Sequence, residues 1–420
     1  MLYQMKKSIL LPVIFSLICF PVFSQTWAET SIPIDGARYD DIFFLNENLG
    51  WAASGWGYKT YKTTDGGDNW ELIFETPNEY QRNIEFLNEN IGFLGTLSSN
   101  FYKTTDGGNS WEAVSIPGVE AICGMDAVGE HTIYGCGAYF QPAYIIKSTD
   151  SGENWEFIDM SPWATALIEV LFEDENTGYA SGSDVNGGVV LKTTDGGQSW
   201  TQLYNSNIPG ETVWKLQVLF SDSDVIFGAV ESFPPLNGKL IRTTDRGQNW
   251  VSREVPDSFI QGVGFLTEDH GWMGGHYSGF LETFDGGQTW NDTDFGYSLN
   301  RFQIFNGNLA YCSGDSVYKY TDNLSTTDIS VRDIEDLSIQ VFPNPVTESF
   351  VNIKIDYPRN DHMLITLYDE TGKKIEQFLR ETINEAGMKE YKFNLPEKPG
   401  IYYLNFHYDL GYQSVKVIKK

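Results

Sequence analysis

Segments in which apolar and polar residues alternate recur along most of the chain. In the first unit, DIFFLN at 41–46 is followed by GWAASG at 50–55, YKTYKTTD at 58–65 and WELIFE at 70–75. Short runs of β-branched and aromatic residues, bounded by Gly, Asn and Asp, are typical of β-strands joined by tight turns. The next unit repeats the order with IEFLN, IGFLGT, FYKTTD and WEAVSI. The pattern therefore predicts an all-β protein built from units of four strands.

One nine-residue signature marks the turn between the third and fourth strands of a unit. Its copies are KTTDGGDNW at 62–70, KTTDGGNSW at 103–111, KSTDSGENW at 147–155, KTTDGGQSW at 192–200, RTTDRGQNW at 242–250 and ETFDGGQTW at 282–290. Four-strand units that repeat at this period are the mark of β-propeller blades. The signature therefore predicts a propeller.

Each signature carries one aspartate, and we expect all six to be structural. The carboxylate can accept backbone N–H groups inside its own turn, and the Gly residues that follow can adopt positive φ. The Trp begins the fourth strand, where it can pack between neighbouring units. The aspartates are Asp65, Asp106, Asp150, Asp195, Asp245 and Asp285.

The seventh unit is incomplete, and the N-terminus supplies what it lacks. RFQIFN, LAYCSG and SVYKYTD give three strands, but no Trp strand follows them. Residues 26–33, TWAETSIP, match the fourth strand SWEAVSIP at 110–117. We therefore predict a seven-bladed β-propeller over 25–322, in which Trp27 lies beside Val317–Thr321 and closes the ring.

Both ends of the chain carry segments that differ from the repeats. A pair of lysines precedes an apolar run from Ile9 to Phe23, which indicates a signal peptide over 1–24. Residues 323–338 are polar and indicate a linker. Residues 339–420 contain further strand-like runs and are expected to form a small β-sandwich. No other stretch is long and apolar enough to span a bilayer, so we predict no transmembrane segment in the mature chain.

The charge is uneven along the chain. Residues 25–335 carry 15 Lys and Arg against 45 Asp and Glu, whereas residues 336–420 carry 11 against 12. Nucleic acids and anionic membranes both select basic faces, so the acidic repeats argue against either partner. The five His residues are scattered and no phosphate loop or nucleophile motif is present, so we expect no metal site and no cofactor.

Two cysteines flank a predicted hairpin with strands AICGMDA and TIYGCGA. A two-residue turn at Gly129-Glu130 would place Cys123 and Cys136 opposite each other, which permits a disulfide in an oxidising compartment. Two buried free thiols are the alternative.

Three arginines lie just before the first strands of units that neighbour one another around the predicted ring. They are Arg38, Arg82 and Arg301, and Lys215 has the position of Arg82 in the fifth unit. Guanidinium groups suit carboxylates, phosphates and sulfates, so these residues predict an anion pocket near the mouth of the channel. The alternative is that they only offset nearby acids such as Asp40.

Aromatic residues gather in the loops of the same face. They are Tyr39, Trp56, Tyr80, Trp163, Trp214 and Tyr277. Exposed aromatic rings can stack on sugar rings or anchor peptides, so we take these residues as candidate ligand contacts.

The repeated signature fits the Asp-box of the BNR-type propeller superfamily, Ser/Thr-x-Asp-x-Gly-x-x-Trp. With FLNENLGWAASG leading into YKTTDGGDNW, residues 26–322 most resemble the photosystem II assembly and stability factors, a branch with seven Asp-box blades. The resemblance implies a non-enzymatic propeller that binds a protein partner and uses an arginine-rich patch near the channel. Arg38, Arg82 and Arg301 are the positions that it suggests for that patch.

The C-terminal region carries a second set of motifs. They are VFPNP at 341–345, LYDETGKK at 367–374, PGIYYL at 399–404 and a terminal KVIKK. In this order they resemble the type IX secretion (Por) C-terminal sorting domain of Bacteroidetes. The resemblance implies a route through the periplasm and across the outer membrane by the type IX machinery. Removal of the domain or attachment at the cell surface would follow.

Two groups of enzymes share the Asp-box, the sialidases and the xyloglucanase-type hydrolases. The chain lacks the Arg-Ile-Pro motif of the first group and has one propeller where the second has two. A glycoside hydrolase also needs two carboxylates, about 5–10 Å apart, and no sequence feature pairs any. The sequence favours a secreted propeller that binds a protein or glycan partner, with a surface glycoside hydrolase as the alternative.

Overall fold

The computed structural model describes residues 26–420, except for 35, 99, 138–141, 220–222, 307, 322–337, 348, 358–360, 370–373, 384–385 and 409–410. All regular secondary structure in the described residues is β-strand. None of them belongs to a helix with the length and apolar character needed to cross a membrane. The predicted signal peptide and nearly all of the predicted linker lie outside the described residues.

The described strands before residue 322 form seven four-stranded antiparallel sheets. After β1 (Thr26–Glu29), sheet 1 contains β2 (Tyr39–Phe44), β3 (Gly50–Ser54), β4 (Lys59–Thr63) and β5 (Glu71–Glu75). Sheet 2 contains β6 (Gln81–Phe86), β7 (Gly92–Thr96), β8 (Phe101–Thr104) and β9 (Glu112–Val114). Sheet 3 contains β10 (Gly124–Val128), β11 (Thr132–Gly137), β12 (Tyr144–Ser148) and β13 (Glu156–Asp159). Sheet 4 contains β14 (Ala166–Phe172), β15 (Gly178–Ser183), β16 (Gly188–Thr193) and β17 (Thr201–Asn205). Sheet 5 contains β18 (Thr212–Val218), β19 (Ile226–Glu231), β20 (Lys239–Thr243) and β21 (Val251–Glu254). Sheet 6 contains β22 (Ile260–Phe265), β23 (Gly271–Gly275), β24 (Leu281–Thr283) and β25 (Asn291–Asp292). Sheet 7 contains β26 (Phe302–Asn306), β27 (Leu309–Ser313) and β28 (Val317–Thr321), with β1 as its fourth strand.

The N-terminal strand completes sheet 7, as the sequence predicts. β1 pairs with β28 in antiparallel register, with Trp27 opposite Tyr320. The indole of Trp27 stacks on Phe280 with centroids 4.5 Å apart and meets Trp272 edge-on at 5.2 Å. The first strands of consecutive sheets contact one another, and β26 of the last sheet contacts β2 of the first. The sheets therefore form a closed ring lined by their first strands.

Aromatic pairs hold neighbouring sheets together. An aromatic residue of the second strand of one sheet stacks on a Phe of the first strand of the next, with centroids 3.6–3.8 Å apart. The pairs are Trp51–Phe86, Tyr134–Phe172, Phe227–Phe265 and Tyr311–Phe44. Glycine at the start of β7 makes room for one of them, because a Cβ at Gly92 would lie 2.3 Å from the Phe86 ring.

The first strands carry polar residues because these bind the backbone of the next sheet. In five junctions a carboxylate or amide oxygen accepts a backbone N–H across the gap at 2.5–3.1 Å. The backbone donors and their side-chain acceptors are Ile84 and Asp41, Phe172 and Asp126, Leu216 and Glu169, Phe265 and Gln217, and Phe44 and Gln303. The ring therefore gives several of the buried acids a structural partner.

The Asp-box turns follow one hydrogen-bond plan. In sheet 1, the Thr63 hydroxyl donates to Asp65 and accepts the N–H of Gly67, both at 2.9 Å. Asp65 Oδ1 accepts the N–H of Asn69 at 2.8 Å. Hydrogen bonds from the side chain and backbone of the residue four positions later lower the pKa of each such carboxyl, to about 2 at Asp195. Every Asp-box carboxylate is thus engaged by its own turn.

At three junctions of the described residues, a lysine near the end of the third strand binds the Asp-box turn of the next sheet; these lysines are Lys62, Lys147 and Lys319. Nζ of Lys62 donates to the carbonyl of Gly107 at 2.9 Å, and Lys319 binds Gly66 in the same way. Sheet 6 has Glu282 at this position, and it accepts the indole N–H of Trp272 at 3.0 Å. Because the sequence of unit seven has no Asp-box, a lysine at 282 would have no turn carbonyl to bind.

The cysteine hairpin differs from its prediction. β10 and β11 pair Gly124 with Cys136 and Val128 with Thr132. The turn therefore has three residues, 129–131, and the predicted two-residue turn is wrong. The extra residue shifts the register, so Cys123 and Cys136 are not opposite each other. Both are free and buried, as is Cys312.

The C-terminal region forms two further sheets. Its strands are β29 (Ser338–Phe342), β30 (Phe350–Tyr357), β31 (Asp361–Asp369), β32 (Lys374–Ile383), β33 (Gly387–Asn394), β34 (Gly400–Tyr408) and β35 (Gly411–Lys419). One sheet has the order β29-β30-β33 and the other β32-β31-β34-β35. Buried apolar residues of both sheets, such as Ile353 and Leu404, belong to one cluster.

Replacement of Trp27 by Ala should destabilise the ring. The change removes the aromatic contacts of β1 at the point of closure, and truncation of this partly buried Trp should cost about 2 kcal/mol, less than for a fully buried one. We expect a clearly lower urea midpoint for the Trp27→Ala protein. Trp56→Ala is the control, because Trp56 is 69% exposed. Equal midpoints for the two variants would contradict the closure.

The Asp-box carboxylates should make stability depend on pH. The lowered pKa of Asp195 stabilises the fold above the ordinary aspartate pKa of about 3.9, and this contribution is lost as the pH falls toward about 2. We expect Asp195→Ala to lower the urea midpoint at pH 7, and the deficit relative to wild type to shrink between pH 4 and pH 2. The exposed Glu156→Ala is the control, and a deficit that is independent of pH would refute the argument.

Candidate ligand-binding cavity

A β-bulge near the start of the first strand recurs in five of the seven sheets. The register shifts in β2, β6, β14, β18 and β22 at equivalent positions, and the residues skipped are Asp40, Arg82, Ile168, Trp214 and Gln261. A bulge turns its extra side chain out of the regular ladder. Because the first strands line the ring, the bulges bring these side chains to one mouth of the channel. We call this rim, formed by the segments before first strands and after second strands, the loop face.

Asp40 lies at the centre of the group. Its carboxylate accepts hydrogen bonds from Arg38 and from the Tyr80 hydroxyl, and from Nη1 of Arg82 at 3.0 Å. The Asp40 side chain is fully buried. Burial and the Asp40 charge raise the pKa of Tyr80, which keeps this phenol neutral. Two arginines therefore share one carboxylate.

Trp214 forms a floor beneath Arg82. The Arg82 guanidinium lies 5.4 Å from the centroid of its ring. The indole N–H donates to Asn300 Oδ1 at 3.0 Å, and Asn300 donates to the backbone carbonyl of Asp40 at 2.5 Å. Since these residues belong to sheets 5, 2, 7 and 1, the indole reaches across the channel.

Above this floor is an open cavity of about 390 Å³. Sheets 1, 2, 5 and 6 contribute to it. Its lining residues are Arg38, Tyr80, Arg82, Leu97, Trp214, Glu231, Phe233, Phe259, Gln261, His276 and Tyr277.

Two guanidinium nitrogens at this cavity are buried without an acceptor. Nε of Arg38 and Nη2 of Arg82 have no hydrogen-bond partner among the described residues. Buried donors that lack a partner cost free energy. Charged N–H groups bind oxyanions more strongly than neutral acceptors, so the cavity is suited to a ligand with a negatively charged oxygen.

A chain of polar contacts leads from Arg38 to Glu231. Nη1 of Arg38 donates to Gln261 Oε1 at 2.6 Å and lies 3.0 Å from Nδ1 of His276. Nε2 of Gln261 donates to Glu231 Oε1 at 2.7 Å. Burial raises the pKa of Glu231 to about 7. Burial and the nearby Arg38 lower the pKa of His276, so this imidazole is neutral at pH 7.

One wall of the cavity is aromatic. The Phe259 ring meets Phe233 and Tyr277 edge-on, with centroids 5.5 and 5.0 Å apart. Phe233 and Tyr277 are each more than half exposed. Such a wall offers apolar contact and ring edges to a ligand.

The structure separates the arginines that the sequence groups together. Arg38 and Arg82 line the cavity. Arg301 does not line it, because its Nε donates to Asp41 at 2.8 Å and its Nη1 donates to Glu169 at 2.6 Å. Lys215 is buried and lies 3.5 Å from the same Glu169. Arg301 and Lys215 are thus engaged by buried acids and do not line the cavity.

The predicted aromatic contacts divide in a similar way. Tyr80, Trp214 and Tyr277 line the cavity. Trp56 is exposed at its edge and meets Tyr80 edge-on at 5.0 Å. Tyr39 was expected at the ligand surface, but it is fully buried between sheets, and its hydroxyl donates to the Pro33 carbonyl at 2.5 Å. That expectation is wrong, because the bulge turns Tyr39 inward and Asp40 outward.

Trp163 lies in the segment that connects β13 of sheet 3 to β14 of sheet 4. It is 38% exposed and does not line the cavity. Several lining residues were not predicted as ligand contacts, chiefly Gln261, Glu231 and His276. Gln261 has the bulge position of Arg82, so alignment of the units could have found it. Glu231 and His276 each follow the aromatic residue of their second strand, Phe227 or Trp272, by four positions. Leu97 has the same position after Phe93 and also lines the cavity, so alignment of the units could have found this position as well.

Residues 340–420 match a family model described as a secretion system C-terminal sorting domain. The match indicates type IX secretion to the cell surface or the extracellular space. No curated protein matches the chain significantly.

Several solved structures are similar in fold. YCF48 from Cyanidioschyzon merolae has 17% sequence identity and a TM-score of 0.56, and the match covers 70% of this chain and 98% of that one. YCF48 bound to a D1 peptide has 19% identity and a TM-score of 0.54, with 70% and 96% covered. The GH74 xyloglucanase from Xanthomonas campestris has 13% identity and a TM-score of 0.54, with 79% and 60% covered. At these identities the similarity establishes the propeller fold alone. The chain thus combines repeated four-stranded propeller sheets with a type IX C-terminal sorting domain.

Proposed function

We propose that this chain is a non-catalytic propeller, secreted or held at the cell surface, that binds a protein or glycan partner through its loop face. In this proposal a signal peptide (1–24) precedes a seven-bladed propeller (25–322), a linker (323–338) and a sorting domain (339–420). The seven four-stranded sheets and their closed circle of contacts support seven blades. The apolar cluster shared by the last two sheets supports a β-sandwich.

The observation that carries the binding proposal is the pair of buried guanidinium N–H groups at the cavity. Nε of Arg38 and Nη2 of Arg82 have no acceptor among the described residues, and in this proposal a ligand oxyanion supplies one. The two arginines share only Asp40, so their pair retains one net positive charge. In a strongly acidic protein, this cavity is a local attraction for an anion.

The aromatic wall supports a partner with an apolar side chain or a sugar ring beside the anionic group. Phe233 and Tyr277 are exposed without a covering segment among the described residues. Large exposed aromatic residues often anchor partners. YCF48 has been solved with a bound D1 peptide, which supports a peptide or protein as the partner of this propeller.

The alternative, a surface glycoside hydrolase, has the fold of the xyloglucanase in its favour. Such an enzyme needs two carboxylates flanking the scissile bond. Among the described residues, Glu231 is the single carboxylate that lines the cavity. Asp40 lies behind Arg38, Arg82 and Tyr80, which occupy both of its oxygens. We therefore favour binding over hydrolysis.

A glycan and peptide array should separate the cavity from the rest of the loop face. We expect wild-type protein to bind a subset of acidic probes, and Arg82→Ala and Tyr277→Ala to lose at least tenfold in signal. Tyr277→Ala guards against misfolding, because Tyr277 is 58% exposed. Tyr297→Ala is the matched control, since Tyr297 is 47% exposed but does not line the cavity. Identical patterns for all four proteins would exclude this cavity as the binding site.

Deletion of residues 339–420 should stop export at the periplasm. The propeller is expected to accumulate there, whereas the full chain reaches the cell surface or the medium. A fluorescent protein that carries a signal peptide and residues 323–420 should be exported with it. Fractionation and immunoblotting measure both results. Efficient export of the truncated chain would contradict the role assigned to the domain.

A further inference from the structure

Glu231 differs from most buried acids of this protein. It is the last residue of β19, is 5% exposed and lines the cavity. Asp40, Asp41, Glu169 and Glu211 are equally buried, and each has an arginine or lysine within ion-pair distance. Among the described residues, no cation lies within that distance of Glu231.

Gln261 explains why Glu231 has no cation partner. Its amide oxygen accepts Nη1 of Arg38, so its amide nitrogen is left to donate to Glu231. The other amino group of Arg38 is bound to Asp40. Gln261 therefore stands between the guanidinium and the Glu231 carboxyl, which receives one neutral hydrogen bond in place of an ion pair.

Burial of a carboxyl without a cation favours its protonated form. Burial raises the pKa of Glu231 to about 7, against smaller lowering effects from the Gln261 hydrogen bond, Arg38 and Arg82. At mildly acidic pH the group is therefore a neutral hydrogen-bond donor. Above pH 7 it becomes an anion inside the cavity.

The other charged groups around the cavity keep a fixed state at pH 7 and above. Arg38 and Arg82 are cations and share the Asp40 anion. The lowered pKa of His276 and the raised pKa of Tyr80 leave both neutral there, and any effect of His276 below pH 7 would persist in a Glu231→Gln variant. Glu211 and Lys239, in the neighbouring loop, pair with each other. The cavity thus changes from one net positive charge to none as Glu231 ionises.

We infer that Glu231 donates its proton in a hydrogen bond to a carboxylate of the ligand, which Arg38 and Arg82 bind from the other side. This inference rests on the proposed function and names the ligand group and its regulation. A proton shared between two carboxyl groups gives a short, charge-assisted hydrogen bond. Two ionised carboxylates at the same site would repel each other. Binding is therefore strongest below pH 7 and weakens as the pH rises.

The experiment is calorimetric titration of the mature chain at pH 6, 7 and 8. The probes are 3-phenylpropionate and glucuronate, which represent an aromatic peptide group and an acidic sugar. 3-Phenylpropanol and glucose are the uncharged counterparts. If only the protonated state of Glu231 binds, the apparent Kd of the bound carboxylate rises about tenfold from pH 6 to pH 8. The probe that binds identifies the source of the carboxylate.

Two variants make the result specific. Glu231→Gln mimics the protonated acid, so we expect affinity near the wild-type value at pH 6 and a change of less than twofold up to pH 8. Glu112→Gln, an exposed change on β9, should keep the wild-type pH dependence. Equal wild-type affinity at pH 6 and pH 8, or a tenfold loss that persists in Glu231→Gln, would overturn the role of Glu231 and leave the cavity standing. Absence of carboxylate binding at pH 6 overturns the inference, and if Arg82→Ala also matches wild type on the array, the proposed function fails with it.

Discussion

The pairing of β1 with β28 is the interaction on which the remaining structure depends. Neighbouring sheets pack through apolar side chains, with an aromatic stack at four junctions of the described residues and, at five, a hydrogen bond between a first-strand side chain and the neighbouring backbone. Such a series of sheets needs a closing contact, because an open end would expose an apolar face and an unpaired edge. The hydrogen bonds of Thr26–Glu29 to Val317–Thr321 supply that contact with residues from opposite ends of the chain.

Ring closure also explains why so acidic a chain can bury carboxylates. Asp41 and Glu169 each satisfy a backbone N–H of the next sheet and also pair with Arg301. Both carboxylates lie in the low-dielectric interior. There an unpaired polar group costs free energy, whereas a fully hydrogen-bonded group favours a single packing of the sheets. Polar groups at the mouth of the channel are less completely paired. There, Arg38 and Arg82 each have one buried N–H group without an acceptor, and Glu231 has no cation within ion-pair distance among the described residues.

Local and periodic features of this fold could be predicted from the sequence. The Asp-box turn is determined by residues within nine positions, and the likeness of residues 26–33 to a fourth strand was enough to place β1. The cavity could be predicted only in part. Whether Tyr39 or Asp40 faces the channel depends on a bulge, and one residue of shift reverses the side-chain direction. In the same way, the length of the turn at 129–131 decides the register of Cys123. Glu231 and His276 share one repeat position, but unit one has Gly55 there and unit two has Leu97, so the residue types do not repeat and gave no chemical signal.

The position at which the chain leaves the propeller decides the rim to which a C-terminal tether would attach. Thr321 ends a third strand, and in the other sheets this is the point at which the Asp-box turn begins. The exit therefore lies on the rim opposite the cavity. A tether at the C-terminal end of the propeller would therefore attach on the rim that does not carry the cavity. Cleavage after export would change where the protein resides without altering the residues that line the cavity.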